Sequence, residues 1–158
     1  MHQSVLDWGA AKVAQLGLSK RYALEVGGLN ENGSLRDLFR GAYVSLDMRD
    51  GPGVDIVCSA HQMPFDDAVF EVVVCTEMLE HDAAFWLSLA EMGRVLRPDG
   101  WLLLTARGNG FPHHAYPNDY YRFMPDSAGR LLALARCRVV EACEDPEQSG
   151  IFALGVRE

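Results

Sequence analysis

The chain has 158 residues, 49% apolar and 23% charged, a balance that argues for a packed core and against disorder. At this length folding buries roughly 68–70% of the unfolded chain's surface, so a single domain spanning 1–158 is expected. The net charge of −8 makes nucleic acid and anionic lipid poor partners, because both need a basic footprint.

No apolar run approaches the ~20 residues of a membrane span. The first twenty residues lack the basic flank and unbroken apolar stretch of a secretion signal, so a cytoplasmic location is expected. Cysteines at 58, 75, 137 and 143 form no C-x-x-C pair, and no histidine pair has zinc spacing. Buried free thiols in a reducing compartment, and no metal, are the expectation.

In chain order, Ser4 to Leu18 has helical apolar spacing, with Ser4 as its N-cap and Gly17 as its stop. Arg21 to Gly27 reads as a buried strand running into glycines, and Asn30 to Ser34 as a turn. Leu35 to Arg40 is a helix too short to stand alone. Ala42 to Asp47 and Val54 to Cys58 are the second and third strands, separated by the DGPG turn at 50–53. Gln62 to Asp67 is loop. Phe70 to Cys75 is β-branched and nearly all apolar, as suits a strand covered on both faces.

Ala84 to Leu96 is an amphipathic helix, closed by Arg97-Pro98-Asp99-Gly100. Trp101 to Ala106 is a fifth strand, followed by a Gly-, Pro- and His-rich loop from 107 to 118. Pro125 opens a helix running to Ala135. Arg138 to Ala142 and Ile151 to Val156 are two last strands with a short polar link, so they run antiparallel. Strands alternating with helices define an α/β fold. The expected form is a Rossmann-like, doubly wound seven-stranded sheet, mostly parallel with one antiparallel terminal strand.

In such a sheet, ligands sit beyond the carboxyl ends of the strands. The first strand is followed by Glu25-Val26-Gly27-Gly28, where glycine lets the backbone approach a ligand closely. The second ends at Asp47, about 20 residues after this turn, where a carboxylate holds ribose hydroxyls. The third is followed by Ser59, Ala60 and His61. The fourth is followed by Thr76-Glu77 and then Glu80-His81.

Here the chain resembles the class I S-adenosylmethionine-dependent methyltransferases of the compact single-domain type. The resemblance rests on EVGG (25–28), YVSLDMRDGPGVDIV (43–57), AHQMPFDDAVFEVVVCTEMLEHD (60–82) and RVLRPDGWLLLTA (94–106). HHAYPNDYYRFMP (113–125) is similar to a segment of relatives that act near polysaccharide or glycan biosynthesis. The resemblance implies S-adenosylmethionine as cofactor. Glu25 would face its methionine part through water, with Gly27 and Gly28 approaching the same part. Asp47 would hold the ribose and Met48 would lie against the adenine. Ala60 and His61, with Ser59 before them, would cover the adenine edge, and Cys75 and Thr76 would lie beneath the sulfonium. Leu29 stands where a second glycine is usual, and Ser59 where an acidic residue is frequent.

Methyl transfer to a hydroxyl needs positioning and a base near neutrality. The candidates for the base are His81, His113 and His114. The loop carrying His113, His114, Tyr116, Asp119, Tyr120 and Arg122 is expected to recognise a small-molecule or glycan acceptor. Blander roles exist. His81 would cap the following helix, Tyr120, Tyr121 and Phe123 would staple the loop to the core, and Arg122 would form a solvated pair with Asp119 or Asp126. Glu77 and Glu80 would form a helix-start acidic pair. With no lid domain legible, the acceptor pocket is open or completed by a second chain, as in a homodimer. Leu29 and Ser59 support a second reading, a non-catalytic binding module or partner subunit with weak cofactor affinity. A nicotinamide dehydrogenase is disfavoured because the first turn lacks G-x-G-x-x-G.

Overall fold

The computed structural model describes residues 2–115 and 117–158. Seven strands form one sheet in the order β3-β2-β1-β4-β5-β7-β6. They are β1 (Ala23–Val26), β2 (Tyr43–Asp47), β3 (Ile56–Val57), β4 (Phe70–Thr76), β5 (Leu96–Arg107), β6 (Cys137–Glu144) and β7 (Gly150–Arg157). β1 through β5 pair in parallel, and β7 inserts antiparallel between β5 and β6. The expected α/β architecture with one reversed strand is therefore what the chain adopts.

Alternation along β4 shows why its sequence is apolar throughout. Val72 and Val74 face a cluster with Val13 and Leu18 beside helix α1 (Gln3–Gln15). Val73 and Cys75 face the opposite cluster, which holds Leu89 and Met92 of α2 (Phe85–Val95) and Leu131 and Leu132 of α3 (Ala128–Leu134). Helices on both faces remove the polar side of the strand pattern.

Several boundaries differ from the expected ones for local reasons. Ser4 is not the cap of α1. It is buried inside the first turn and its hydroxyl donates to Asp145 Oδ2 at 3.1 Å, while His2 holds the N-cap position. β3 shrinks to two residues because the Asp55 carboxylate, not a strand carbonyl, accepts the Ser45 N–H at 2.8 Å. The RPDG segment is absorbed into β5: Leu96 pairs with Phe70, the register shifts, and Trp101 resumes opposite Val72. Asp99, at φ 61°, makes that excursion. Pro125 starts a separate short helical turn (Pro125–Ser127) ahead of α3. All four thiols are free, but only Cys75 and Cys137 are buried; Cys143 is exposed on the edge strand β6.

The chain leaves β1 toward β2 and β3, then returns to place β4 on the other side of β1. That reversal opens a crevice at the carboxyl ends of β1 and β4, where a ligand fits. Among the described residues, no helix is long and apolar enough to cross a membrane.

Candidate active site

A cavity of about 420 Å³ occupies this crevice. Its floor is the turn after β1. The N–H groups of Gly27 and Gly28 both donate to the Leu46 carbonyl, at 2.9 and 3.0 Å, tying the turn to β2. Gly27 has φ 78°, and a Cβ there would lie 2.5 Å from Met78 Cγ; one on Gly28 would lie 1.8 Å from Ser45 Oγ. Both positions therefore need glycine on steric grounds. Leu29 is accommodated from the other side, because a Cβ at Gly51 would meet its Cδ1 at 2.4 Å.

Asp47 ends β2 with its carboxylate aimed by two backbone donors, Arg49 N–H at 2.9 Å and Leu29 N–H at 3.3 Å. A carboxylate accepts about four hydrogen bonds, so two acceptor positions remain for a diol. Met48, 69% exposed, presents a thioether to the cavity rim beside Ser59, Ala60 and His61. Ser59 accepts the His61 N–H at 3.1 Å. Glu25 lies at the cavity wall with Ser34 donating to its carboxylate at 3.1 Å; burial pushes that carboxyl up, partly offset by this bond.

Thr76 lines the cavity but Cys75 does not: it is fully enclosed in the core, where burial pushes its thiol well up. Beyond β4 the chain turns through Glu77, at φ 53°, whose carboxylate pairs with the fully buried Arg107. Arg107 also donates to Asp145 at 3.1 Å, so the ion pair reaches from the cavity to the β6–β7 turn.

His81 does not cap α2. The N-cap is Ala84, with no side-chain cap bond, and Asp82 ahead of it accepts the Ala84 N–H at 2.9 Å and the Ser88 hydroxyl at 2.5 Å. Asp82 also lies 2.8 Å from His61 Nε2, which bridges the β3 and β4 loops. His81 faces the cavity with its Nδ1 2.6 Å from the Asn118 carbonyl. A carbonyl only accepts, so Nδ1 carries a proton and Nε2 is the ring nitrogen left for another partner. The His114 ring crosses it edge-on at 4.8 Å, and burial, then the His81 charge, lower the His114 pKa.

The loop residues divide. His114 and Tyr120 line the cavity, whereas His113 is exposed away from it. Tyr116 lies outside the described residues. Asp119 and Arg122 do not line the cavity. They pair at 2.5 and 2.6 Å with the Asp119 side chain fully buried, so this is an internal knot rather than a solvated pair. Arg122 also donates to the Phe111, Pro112 and Tyr121 carbonyls. The Arg122 guanidinium holds the Asp119 carboxyl well below the usual carboxylate range. Tyr121 and Phe123 are staples, each packing at 5.2 Å on Phe85, but Tyr120 is half exposed and points at the cavity.

Glu80 is fully buried, and neither carboxylate oxygen has a hydrogen-bond partner. Burial pushes its carboxyl up to about 7. It is thus no helix-start surface residue. Burial of Glu80, the Arg107 pair and the Asp82 bridge were not anticipated. Of these only Asp82 carried a local signal, an acidic residue just ahead of a helix.

The model of the methyltransferase domain family matches residues 6–104, and the chain belongs to that family. Over 55 residues, 34% of this chain, it is 46% identical to phthiotriol/phenolphthiotriol dimycocerosates methyltransferase 1 of Mycobacterium ulcerans (strain Agy99); the match spans a fifth (20%) of that relative's length. The fold resembles that of 1,6-didemethyltoxoflavin-N1-methyltransferase from Burkholderia thailandensis, solved with 1,6-didemethyltoxoflavin and S-adenosylhomocysteine. The TM-score is 0.79 at 18% identity, covering 97% of this chain and 78% of that one. Magnesium protoporphyrin IX methyltransferase from Synechocystis PCC 6803, with bound S-adenosylhomocysteine, gives 0.75 at 15% identity over 99% and 84%. The fold is that of the class I S-adenosylmethionine-dependent methyltransferases.

S-adenosylmethionine is the cofactor of that class, and the residues present fit it. The glycine turn has no room for a Cβ, the Asp47 carboxylate has free acceptor positions, and Met48 offers an exposed apolar face.

Proposed function

We propose that this chain transfers a methyl group from S-adenosylmethionine to a hydroxyl of a small-molecule or glycan acceptor. When bound, the cofactor supplies an electrophilic methyl on a sulfonium, a good leaving group. The chain's own residues then have two tasks, to place the cofactor and to make an oxygen nucleophilic. Asp47, Gly27 and Gly28 serve the first, since positioning is most of the barrier reduction. His81 and His114 serve the second, because an alcohol must lose its proton as it reacts and these two imidazoles lie together at the cavity wall, whereas His61, also lining it, is engaged by Asp82.

The observation that carries this reading is the one cavity lined by both the Asp47 carboxylate and the paired His81 and His114 rings. Tyr120 and Asn118 line the same wall and would meet the acceptor. The acidic chain supports a neutral or cationic acceptor over nucleic acid. The four free thiols support a reducing, cytoplasmic setting.

The test is transfer of labelled methyl from S-adenosylmethionine to a panel of sugars, nucleotide sugars and small polyols. Label on a hydroxyl, lost in a His81→Ala/His114→Ala double variant, supports the reading. Cofactor binding with label transferred only to amines would contradict the hydroxyl assignment. No heat with millimolar cofactor would favour a non-catalytic binding module.

A further inference from the structure

We propose that Glu80, His81 and His114 form a binding site for one divalent transition-metal ion at the histidine side of the cavity. A ligand atom from each of these residues lies within 4.8 Å of the others. Zinc-like ions sit about 2.0–2.2 Å from nitrogen and oxygen donors, which puts tetrahedral donors roughly 3.5 Å apart. The observed cluster closes onto an ion with side-chain shifts of about an ångström or so.

Three observations independent of that proximity point to a cation. Glu80 is 0% exposed, and both of its carboxylate oxygens lack a hydrogen-bond partner. A buried carboxylate with only backbone N–H groups beside it and no ion-pair partner of its own is costly, and the nearby Arg122 is already committed to Asp119 through two short contacts. Second, the Tyr120 N–H donates to the Glu80 carbonyl at 2.8 Å, so the loop bearing His114 is fastened to the residue that would share its ion. Third, His81 has the orientation expected of a metal ligand. Its Nδ1–H is fixed on the Asn118 carbonyl at 2.6 Å, which frees Nε2 and sets the ring. Glu77 is not counted, because Arg107 engages it.

Two imidazoles and one carboxylate leave coordination positions open, as in catalytic rather than structural sites. His81 and His114 line the cavity, so an open position is available to an acceptor oxygen. This rests on the hydroxyl-methylation reading above and changes one role in it: His81 and His114 hold the ion instead of taking the proton, and the ion acidifies the acceptor hydroxyl. The hydroxyl proton leaves to solvent. The acceptor oxygen then bonds to the methyl carbon, and the carbon–sulfur bond breaks with its electron pair going to sulfur. An acceptor with an oxygen donor beside the reacting hydroxyl, such as a vicinal diol, would chelate the ion.

The experiment is titration of the metal-stripped full chain with Co²⁺, followed by visible absorption and calorimetry, with and without S-adenosylhomocysteine. One equivalent should bind and give ligand-field bands. The affinity should fall by at least about 100-fold in His114→Ala and in Glu80→Gln, since losing a direct ligand should cost no less than the roughly 10–100-fold typical of an outer-shell partner. Cys143→Ser, which removes the exposed thiol, should bind as the parent does. Absence of stoichiometric binding, or full binding in both site variants when circular dichroism shows them folded, overturns the site. S-adenosylhomocysteine binding without Co²⁺ binding overturns the metal proposal alone. Co²⁺ binding without S-adenosylhomocysteine binding keeps the site and removes the methyltransferase reading.

Discussion

Asp145→Ala removes one partner of a fully buried cation. Arg107 is 0% exposed and donates to Asp145 at 3.1 Å. Ser4 Oγ donates to the same carboxylate oxygen at 3.1 Å, and the Glu147 and Gln148 N–H groups donate to the other at 3.0 and 3.3 Å. Breaking a buried pair by deleting one member costs about 3–5 kcal/mol, because the survivor is left without compensation. Arg107 keeps Glu77 as a second counterion, which places the loss near about 3 kcal/mol. At roughly 2–4 °C per kcal/mol for a chain of this size, Tm should fall by about 6–12 °C. Chemical denaturation gives the free energy and calorimetry the Tm. A loss below about 1 kcal/mol would refute the view that this pair ties α1, β5 and the β6–β7 turn together.

The same carboxylate sets an acid limit. Burial alone would raise the Asp145 pKa, but the two N–H groups, the Ser4 hydroxyl and the Arg107 guanidinium outweigh it and leave it lowered. A lowered folded pKa means its contribution is present above about pH 4 and is lost as pH falls through the folded value. The parent should therefore lose more stability than Asp145→Asn between about pH 5 and pH 2, measured by denaturant midpoints across that range. Gly28→Ala should cost about 1–3 kcal/mol through the clash with Ser45 Oγ, and adding Ser45→Ala should recover part of it. An unstressed single variant, read by thermal melting, would contradict the packing of the turn. Asp82→Ala should cost about 1–3 kcal/mol through the lost bonds to the Ala84 N–H and the Ser88 hydroxyl. It should also release His61, seen as a change in that imidazole's NMR shifts; unchanged shifts would contradict the bridge.

Much of the frame was legible in the sequence because periodicity reports burial directly. FEVVVC read as a doubly covered strand, and EVGG followed by Asp47 pointed to a carboxylate at the cavity beyond β2. What escaped was side-chain pairing between distant segments. Arg107 ends an apolar strand and looks like its solvated stop. Only the position of Asp145, 38 residues on, shows that it is enclosed. Glu80 sits two residues from Asp82 in what looks like an ordinary acidic helix start. One is sealed in the core and the other accepts the Ala84 N–H and the Ser88 hydroxyl just ahead of α2. The loop from 113 to 123 mixes roles at single-residue spacing, so His113 faces away while His114 lines the cavity.

Isothermal titration of S-adenosylhomocysteine into the parent and into Asp47→Ala decides the rest. Saturable binding is expected in the parent. The loss of two charge-assisted bonds at about 1.5–3 kcal/mol each should weaken the variant by about 100-fold or more. Equal affinity in the two folded proteins, or no binding in either, would contradict a nucleoside held at the end of β2.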